Sequence, residues 1–157
     1  NILHIFLRRR RLMRTGKEHY VIGAISLISN ELNNLGGALK GVTFKQWFLL
    51  LMMSKMDKGA KTVNEIAEFA GSSRQNVKKM LGGLEKKGFV KIEKSKTDAR
   101  ALSVFLTDKA YKFFFETEGI VASATKELFG EFSDAELDAF IVLLKKLIGG
   151  IENYGNS

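Results

Sequence analysis

Between Ser73 and Arg100 the chain concentrates side chains that can read or grip a polyanion. Arg74, Gln75, Asn76, Lys78 and Lys79 come first, and Lys94, Lys96 and Arg100 come after them. Amides pair bidentately with adenine edges, and Lys or Arg with guanine or phosphate oxygens. That chemistry requires a rigid element with one anchored face and one offered face. At about 100° per residue, Met80, Leu81 and Leu84 fall within about 60° of Val77, a narrow apolar stripe. Ser72, Gln75, Lys79, Gly82 and Lys86 lie opposite it, with Asn76 and Lys78 on the flanks. The spacing predicts an amphipathic helix suited to a major groove. An ordinary solvated helix face would carry the same lysines, so the helix alone leaves both readings open.

The residues after the helix favour the first reading. Gly88 is placed to close it as a C-cap glycine. Val90 and Ile92 then alternate with Lys91 and Glu93, and after the loop from Ser95 to Arg100 the residues Leu102, Val104 and Leu106 share a face. Two half-buried strands around a basic loop make a hairpin with a protruding tip. That tip carries Lys94, Lys96 and Arg100, and a narrow minor groove attracts Arg. Asp98 could hold the Arg100 guanidinium or cap the turn; a plain surface hairpin with an ion pair is the alternative. Gln75, Asn76 and Lys79 suit base edges, with Arg74 at the margin. Ser73, Lys78, Lys94 and Lys96 suit phosphates, and Thr62 could offer N–H groups to one from a helix N-terminus. Gly82 and Gly83 cost about 1 kcal/mol each in a helix interior. Their missing side chains would permit close approach, to DNA or to a neighbouring helix.

The positioning elements are marked by their starts. Thr43-x-x-Gln46, Thr62-x-x-Glu65, Ser72-x-x-Gln75 and Ser133-x-x-Glu136 all match the capping-box pattern. A helix over about 44–56, apolar nearly all round from Trp47 to Met53, is predicted to be buried. A short one over 63–70 buries Val63, Ile66 and Ala67, and Gly71 turns the chain into the basic helix, completing a helix-turn-helix. From Thr107 a long helix runs toward Gly130. Val21, Ile25, Ile28, Leu32 and Leu35 recur at steps of four and three, and Leu137, Ile141, Leu144, Ile148 and Ile151 repeat the pattern near the C-terminus. Two such seams flanking a small domain suit an intertwined dimer; packing on each other within one chain is the alternative.

Composition bounds the rest. The 157 residues suffice for one domain with a sizeable core, and 45% of them are hydrophobic. Without cysteine there are no disulfides, thiolate metal sites or cysteine nucleophile. His4 and His19 are too isolated to suggest a metal site, and Gly82-Gly83 lacks the pattern of a phosphate loop, so catalysis is not expected. The net charge of +8 is uneven: residues 1–42 hold seven basic and two acidic side chains, 43–108 thirteen and seven, 109–157 five and eight. The central portion is where a polyanion would bind. Arg8 to Arg11 come after an apolar run rather than before it, unlike a signal peptide, and that run is too short to span a bilayer. It reads as a helical start to a dimerisation segment, with an extra helix turn or a phosphate-contacting arm as the alternatives.

The run from Gly41 to Leu106 resembles the MarR-type (multiple-antibiotic-resistance regulator) transcription factors. The likeness rests on Val42-Thr43-x-x-Gln46-Trp47, the Ser73-to-Gly88 helix ending LEKKGFV, and Asp98-x-Arg100 with Leu106-Thr107 after it. It implies a mainly α fold with a small β-hairpin: a winged helix-turn-helix at 43–108 between dimerisation helices at 1–40 and 109–157, all in one domain, 1–157. It implies a cytoplasmic homodimer that binds double-stranded DNA at a pseudo-palindrome, as a repressor, with Arg100 in the minor groove and Asp98 supporting it. It also implies a small aromatic or anionic effector, held here by Tyr20, Trp47, Phe48, Met52 and Tyr111 unless these are only core. A winged domain used for protein contact alone is the competing reading. Such domains usually lose the basic outer face, whereas Lys78, Lys79, Lys86 and Arg100 remain.

Overall fold

A computed structural model describes residues 16–34, 39, 41–56, 59, 61–95 and 102–155, so the Arg8 to Arg11 run and Leu35 lie outside the described residues. In chain order the elements are α1 (Lys17–Asn34), α2 (Phe44–Lys55), β1 (Lys61–Thr62), α3 (Val63–Phe69), α4 (Arg74–Lys86), β2 (Val90–Lys94), β3 (Leu102–Leu106), α5 (Asp108–Phe129) and α6 (Asp134–Gly155). The chain is mainly helical with one small antiparallel sheet. That sheet has three strands in the order β1-β3-β2, where the sequence reading expects only a hairpin. The added strand is two residues long, Lys61 opposite Val104 and Thr62 opposite Ser103. So short a strand leaves no alternation to detect, and its second residue also caps α3. Ser103 and Val104 are buried, while Leu102, beyond the rows that β1 pairs, is exposed. Leu102 therefore departs from the expected inward face.

The capping signals place three helix starts correctly and one a residue early. Thr43 Oγ1 accepts from the Gln46 N–H at 3.2 Å while Gln46 Oε1 accepts from the Thr43 N–H at 3.3 Å. Thr62 with Glu65 and Ser133 with Glu136 make the same reciprocal pair at α3 and α6. At α4 the cap is Ser73 rather than Ser72, its Oγ accepting from the Asn76 N–H at 3.3 Å. Ser72 is spent on the preceding helix: its N–H donates to Ala67 O at 2.9 Å, and that of Gly71, at φ +57°, to Glu68 O at 3.1 Å. This is a Schellman close, which uses the second residue past the C-cap as a donor.

Two compact units divide the chain, residues 1–115 and 116–157. The first has its core where α2 (Leu49, Leu50, Met53), α3 (Val63, Ile66, Ala67) and α4 (Val77, Leu81, Leu84) meet Val90 and Val104 of the sheet. Ala110 and Phe113 are also buried, so the first turns of α5 belong with the winged domain. Burial of α2 is less complete than its composition predicts. Trp47, Leu51 and Met52 are half-buried and Phe48 is exposed, since a helix apolar all round presents more surface than its neighbours cover. The second unit holds the rest of α5 and α6, with the Phe129 and Phe132 rings 6.0 Å apart at the turn. The two seams are open: Val21, Ile25, Ile28, Ile141, Ile148 and Ile151 are 41–63% exposed, and Leu137 and Leu144 half-buried.

The reciprocal caps make stability depend on pH. Backbone and then hydroxyl hydrogen bonds, from Thr62 to Glu65 and from Ser133 to Glu136, hold both carboxyls below the ordinary carboxylate value. The unfolded chain lacks these bonds and takes up protons at higher pH. The stabilisation is therefore complete above the unfolded value of about 4.3 and is lost as pH falls through the lower folded values. Urea midpoints measured from about pH 6 down to pH 3 should fall less steeply for a Glu65→Gln/Glu136→Gln double variant than for the parent. Parallel curves would remove these caps from the acid limb.

Candidate nucleic-acid interface

Helix α4 is fixed by its buried stripe and by both of its ends. Val77, Leu81 and Leu84 are fully buried. At the C-terminal end Gly88 adopts φ +76°, its N–H donating to Glu85 O at 2.8 Å and that of Phe89 to Leu84 O at 3.0 Å. Glu85 Oε1 accepts from the Ile92 N–H at 3.1 Å, which joins the helix to the first wing strand. Lys87 Nζ donates to Gly41 O at 2.6 Å and to Gln46 Oε1 at 2.9 Å. Lys109 Nζ donates to Lys87 O at 2.6 Å and sits 5.0 Å from the Phe89 ring centre. The Phe89 ring in turn lies 5.1 Å from that of Phe113, and Thr107 Oγ1 donates to Gly88 O at 2.7 Å. LEKKGFV is thus a clamp as well as a helix ending. Residue types alone point to the cap but not to the partners of Lys87, Lys109 and Thr107, which are distant in sequence.

Held this way, α4 turns Arg74, Gln75, Asn76, Lys78, Lys79 and Lys86 outward, and all six are exposed. The structure therefore brings the expected base-reading residues, with Lys78 of the expected phosphate set, onto one element, capped by Ser73. Asn76 is steadied further, its Nδ2 donating to Ser72 Oγ at 3.1 Å. Lys94 is exposed at the end of β2, and Lys91 and Glu93 pair beside it. Lys96, Asp98 and Arg100 lie outside the described residues. Thr62 differs from expectation: its N–H and Oγ1–H both donate to Glu65 Oε2, at 2.6 and 2.8 Å. The donors offered to a phosphate are already taken by a carboxylate. The two mid-helix glycines separate in role. A Cβ on Gly82 would meet nothing within 4 Å, whereas one on Gly83 would stand 2.9 Å from Gln46 Nε2. Gly83 serves packing against α2, and Gly82 lies open to the outside.

The expected effector residues occupy three helices. Trp47, Phe48 and Met52 are on α2, with the Phe44 ring 5.6 Å from Trp47 and 6.4 Å from Phe48. Tyr20 is half-buried on α1, which packs on α2. Tyr111 is 57% exposed on α5.

Comparison with known proteins agrees with this geometry. Residues 40–101 match the sequence model of the MarR family. The chain is 25% identical over 126 residues to the transcriptional repressor MprA of Escherichia coli strain K12, covering 79% of this chain and 72% of that protein. Sco3205, a MarR family regulator from Streptomyces coelicolor solved in complex with DNA, superposes with a TM-score of 0.74 at 21% identity, over 83% of this chain and 82% of that one. The organohalide-sensing regulator RdhR-CbdbA1625, solved with 2,4-dichlorophenol, gives 0.78 at 18% identity over 88% and 83%.

The glycine pair yields a stability test. Gly82→Ala should gain about 0.5–1 kcal/mol in chemical denaturation, because Ala is the better helix former and nothing obstructs it. Gly83→Ala should gain less or lose, because the Gln46 amide that it meets is held by Lys87 and Thr43. Equal gains at both positions would mean that Gln46 yields freely.

Proposed function

Residues 40–101 match the MarR family model, and we propose that the chain is a winged-helix regulator of that family: a sequence-specific, double-stranded-DNA-binding transcriptional repressor acting in the cytoplasm as a homodimer. The observation that carries the reading is the outer face of α4. Six exposed amide and cationic side chains stand on a helix whose opposite side is fully buried and whose last turn is tied to α2, α5 and the wing. A pre-organised surface of this kind loses little entropy on binding. Gln75, Asn76 and Lys79, with Arg74 at the margin, read base edges; Ser73, Lys78 and Lys94 contact phosphates. Arg100 enters the minor groove, supported by Asp98, and Lys96 contacts a phosphate.

Two copies are required to read a pseudo-palindrome, whose half-sites lie about 34–36 Å apart. The open seams of α1 and α6 supply the surface for it, since exposed apolar area costs about 25 cal/mol per Å². Regulation comes from the same arrangement. A small aromatic or anionic molecule bound near Tyr20, Trp47, Phe48, Met52 and Tyr111 would favour a helix spacing that no longer fits DNA, a population shift. That a structural neighbour was solved with a chlorinated phenol supports an aromatic effector.

Fluorescence anisotropy with the gene's own upstream DNA and a scrambled duplex, over several salt concentrations, tests the reading. Tighter binding to the upstream duplex with a steep negative salt slope is expected; absence of binding at every salt concentration would leave a protein-contact module instead. Gln75→Ala should relax preference at one base pair by about 1–3 kcal/mol. Arg100→Ala should weaken binding to all duplexes, most where the minor groove is narrow, and unchanged affinity would take the wing out of the mechanism.

A further inference from the structure

We infer that Lys87 is a positioning residue: by tying the start of α2 to the C-cap of α4, it sets the pitch of the base-reading helix and so its discrimination among DNA sequences. The inference rests on the DNA-binding function proposed for α4. Lys87 ends a helix whose other lysines face solvent, yet it is half-buried and its ammonium faces back into the domain. Nζ donates to Gly41 O and to Gln46 Oε1, which lie 46 and 41 residues away in sequence. Both acceptors are uncharged. The contact therefore does the work of geometry, holding one backbone carbonyl and one amide at fixed distance, and no ion pair is involved.

Each partner is itself constrained. Gly41 holds a left-handed conformation, φ +82°, in the segment that leads into α2. The same Gln46 oxygen accepts from the Thr43 N–H, and Gln46 Nε2 lies over Gly83, where a side chain would collide. Lys109 of α5 grips the carbonyl of Lys87 from the other side. One residue thus joins the start of α2, the end of α4 and the start of α5. The lever arm makes this matter. A helix of 13 residues is about 20 Å long, so a tilt of about 0.1 rad at its C-cap displaces its far end, where Gln75 and Asn76 stand, by about 2 Å. Hydrogen bonds to base edges tolerate a few tenths of an ångström. Phosphate attraction, being less directional, survives such a shift. Loss of the tie therefore lowers selectivity more than overall affinity.

The test compares Lys87→Met, which keeps the stem and loses the donor, with Gln46→Leu, which loses the acceptor without changing charge. It adds the double variant and Gln46→Glu, which keeps an acceptor for Lys87. Anisotropy gives the ratio of affinities for the upstream and scrambled duplexes. Hydrogen–deuterium exchange without DNA tracks residues 41–47 and 84–92. Each single variant should lower the ratio about ten-fold, the double no further than the singles, and Gln46→Glu should retain it. Exchange should quicken in both segments in Lys87→Met. Ratios that stay unchanged, or losses that simply add, overturn the inference. Should the parent protein not discriminate between duplexes, the DNA reading fails separately; joint quickening of the two segments would then still support the tie, and unchanged exchange would overturn it.

Discussion

Everything that the winged domain offers depends on how the chain leaves α4. The left-handed turn at Gly88 reverses the backbone within two residues, so that Leu84, Phe89 and Val90 all enter the same core. A side chain at residue 88 would strain that turn, since non-glycine residues avoid this region. Because the turn is tight, Glu85 reaches the backbone of β2 and Thr107 reaches back to Gly88. Helix, strand and the start of α5 are thereby fixed to one another within a few ångströms. The exposed amides and lysines inherit their position from that junction.

Much of this was legible in the sequence because it is local. A period of 3.6 placed Val77, Leu81 and Leu84 inward and Gln75 and Lys79 outward, and hydroxyl residues three positions before Gln or Glu marked helix starts. The misses have different causes. Ser72 looked like a cap because nothing in its own neighbourhood reveals that its N–H is claimed by the previous helix. Thr62 looked available to phosphate, although its capping partner Glu65 was already in view and fills the same role. The strand at Lys61 and Thr62 exists only because β3 passes beside it, and Lys87 meets Gly41 and Gln46 only after the chain has folded. Tertiary pairing of this kind has no periodicity.

The distribution of apolar surface divides the chain by purpose. In the winged core, side chains from six elements, together with Leu39, Val42 and Phe89, are sealed, and the free energy of burial is spent within one copy. Helices α1 and α6 contain no buried residue, although both carry regular apolar seams. Their sequence periodicity was as clear as that of α4, but periodicity says only that a face is apolar and not what covers it. On the proposed reading a second copy does so, and the stability of those helices becomes a function of protein concentration.

The two-residue strand β1 has a mechanical meaning. At the rows of Val104 and Ser103 the wing is a three-stranded plate, braced by a strand that runs straight into α3; the rows on either side, Lys91 with Phe105 and Lys94 with Leu102, are a bare ribbon. Two-stranded ribbons twist more readily than wider sheets. The wing is therefore braced at its middle rows, and toward the loop the change of stiffness falls at Ser103. A load applied at the Lys94 and Leu102 row twists the ribbon there before it can rotate α3. On the proposed reading, grooves of different width can then be met without disturbing the helix beside them.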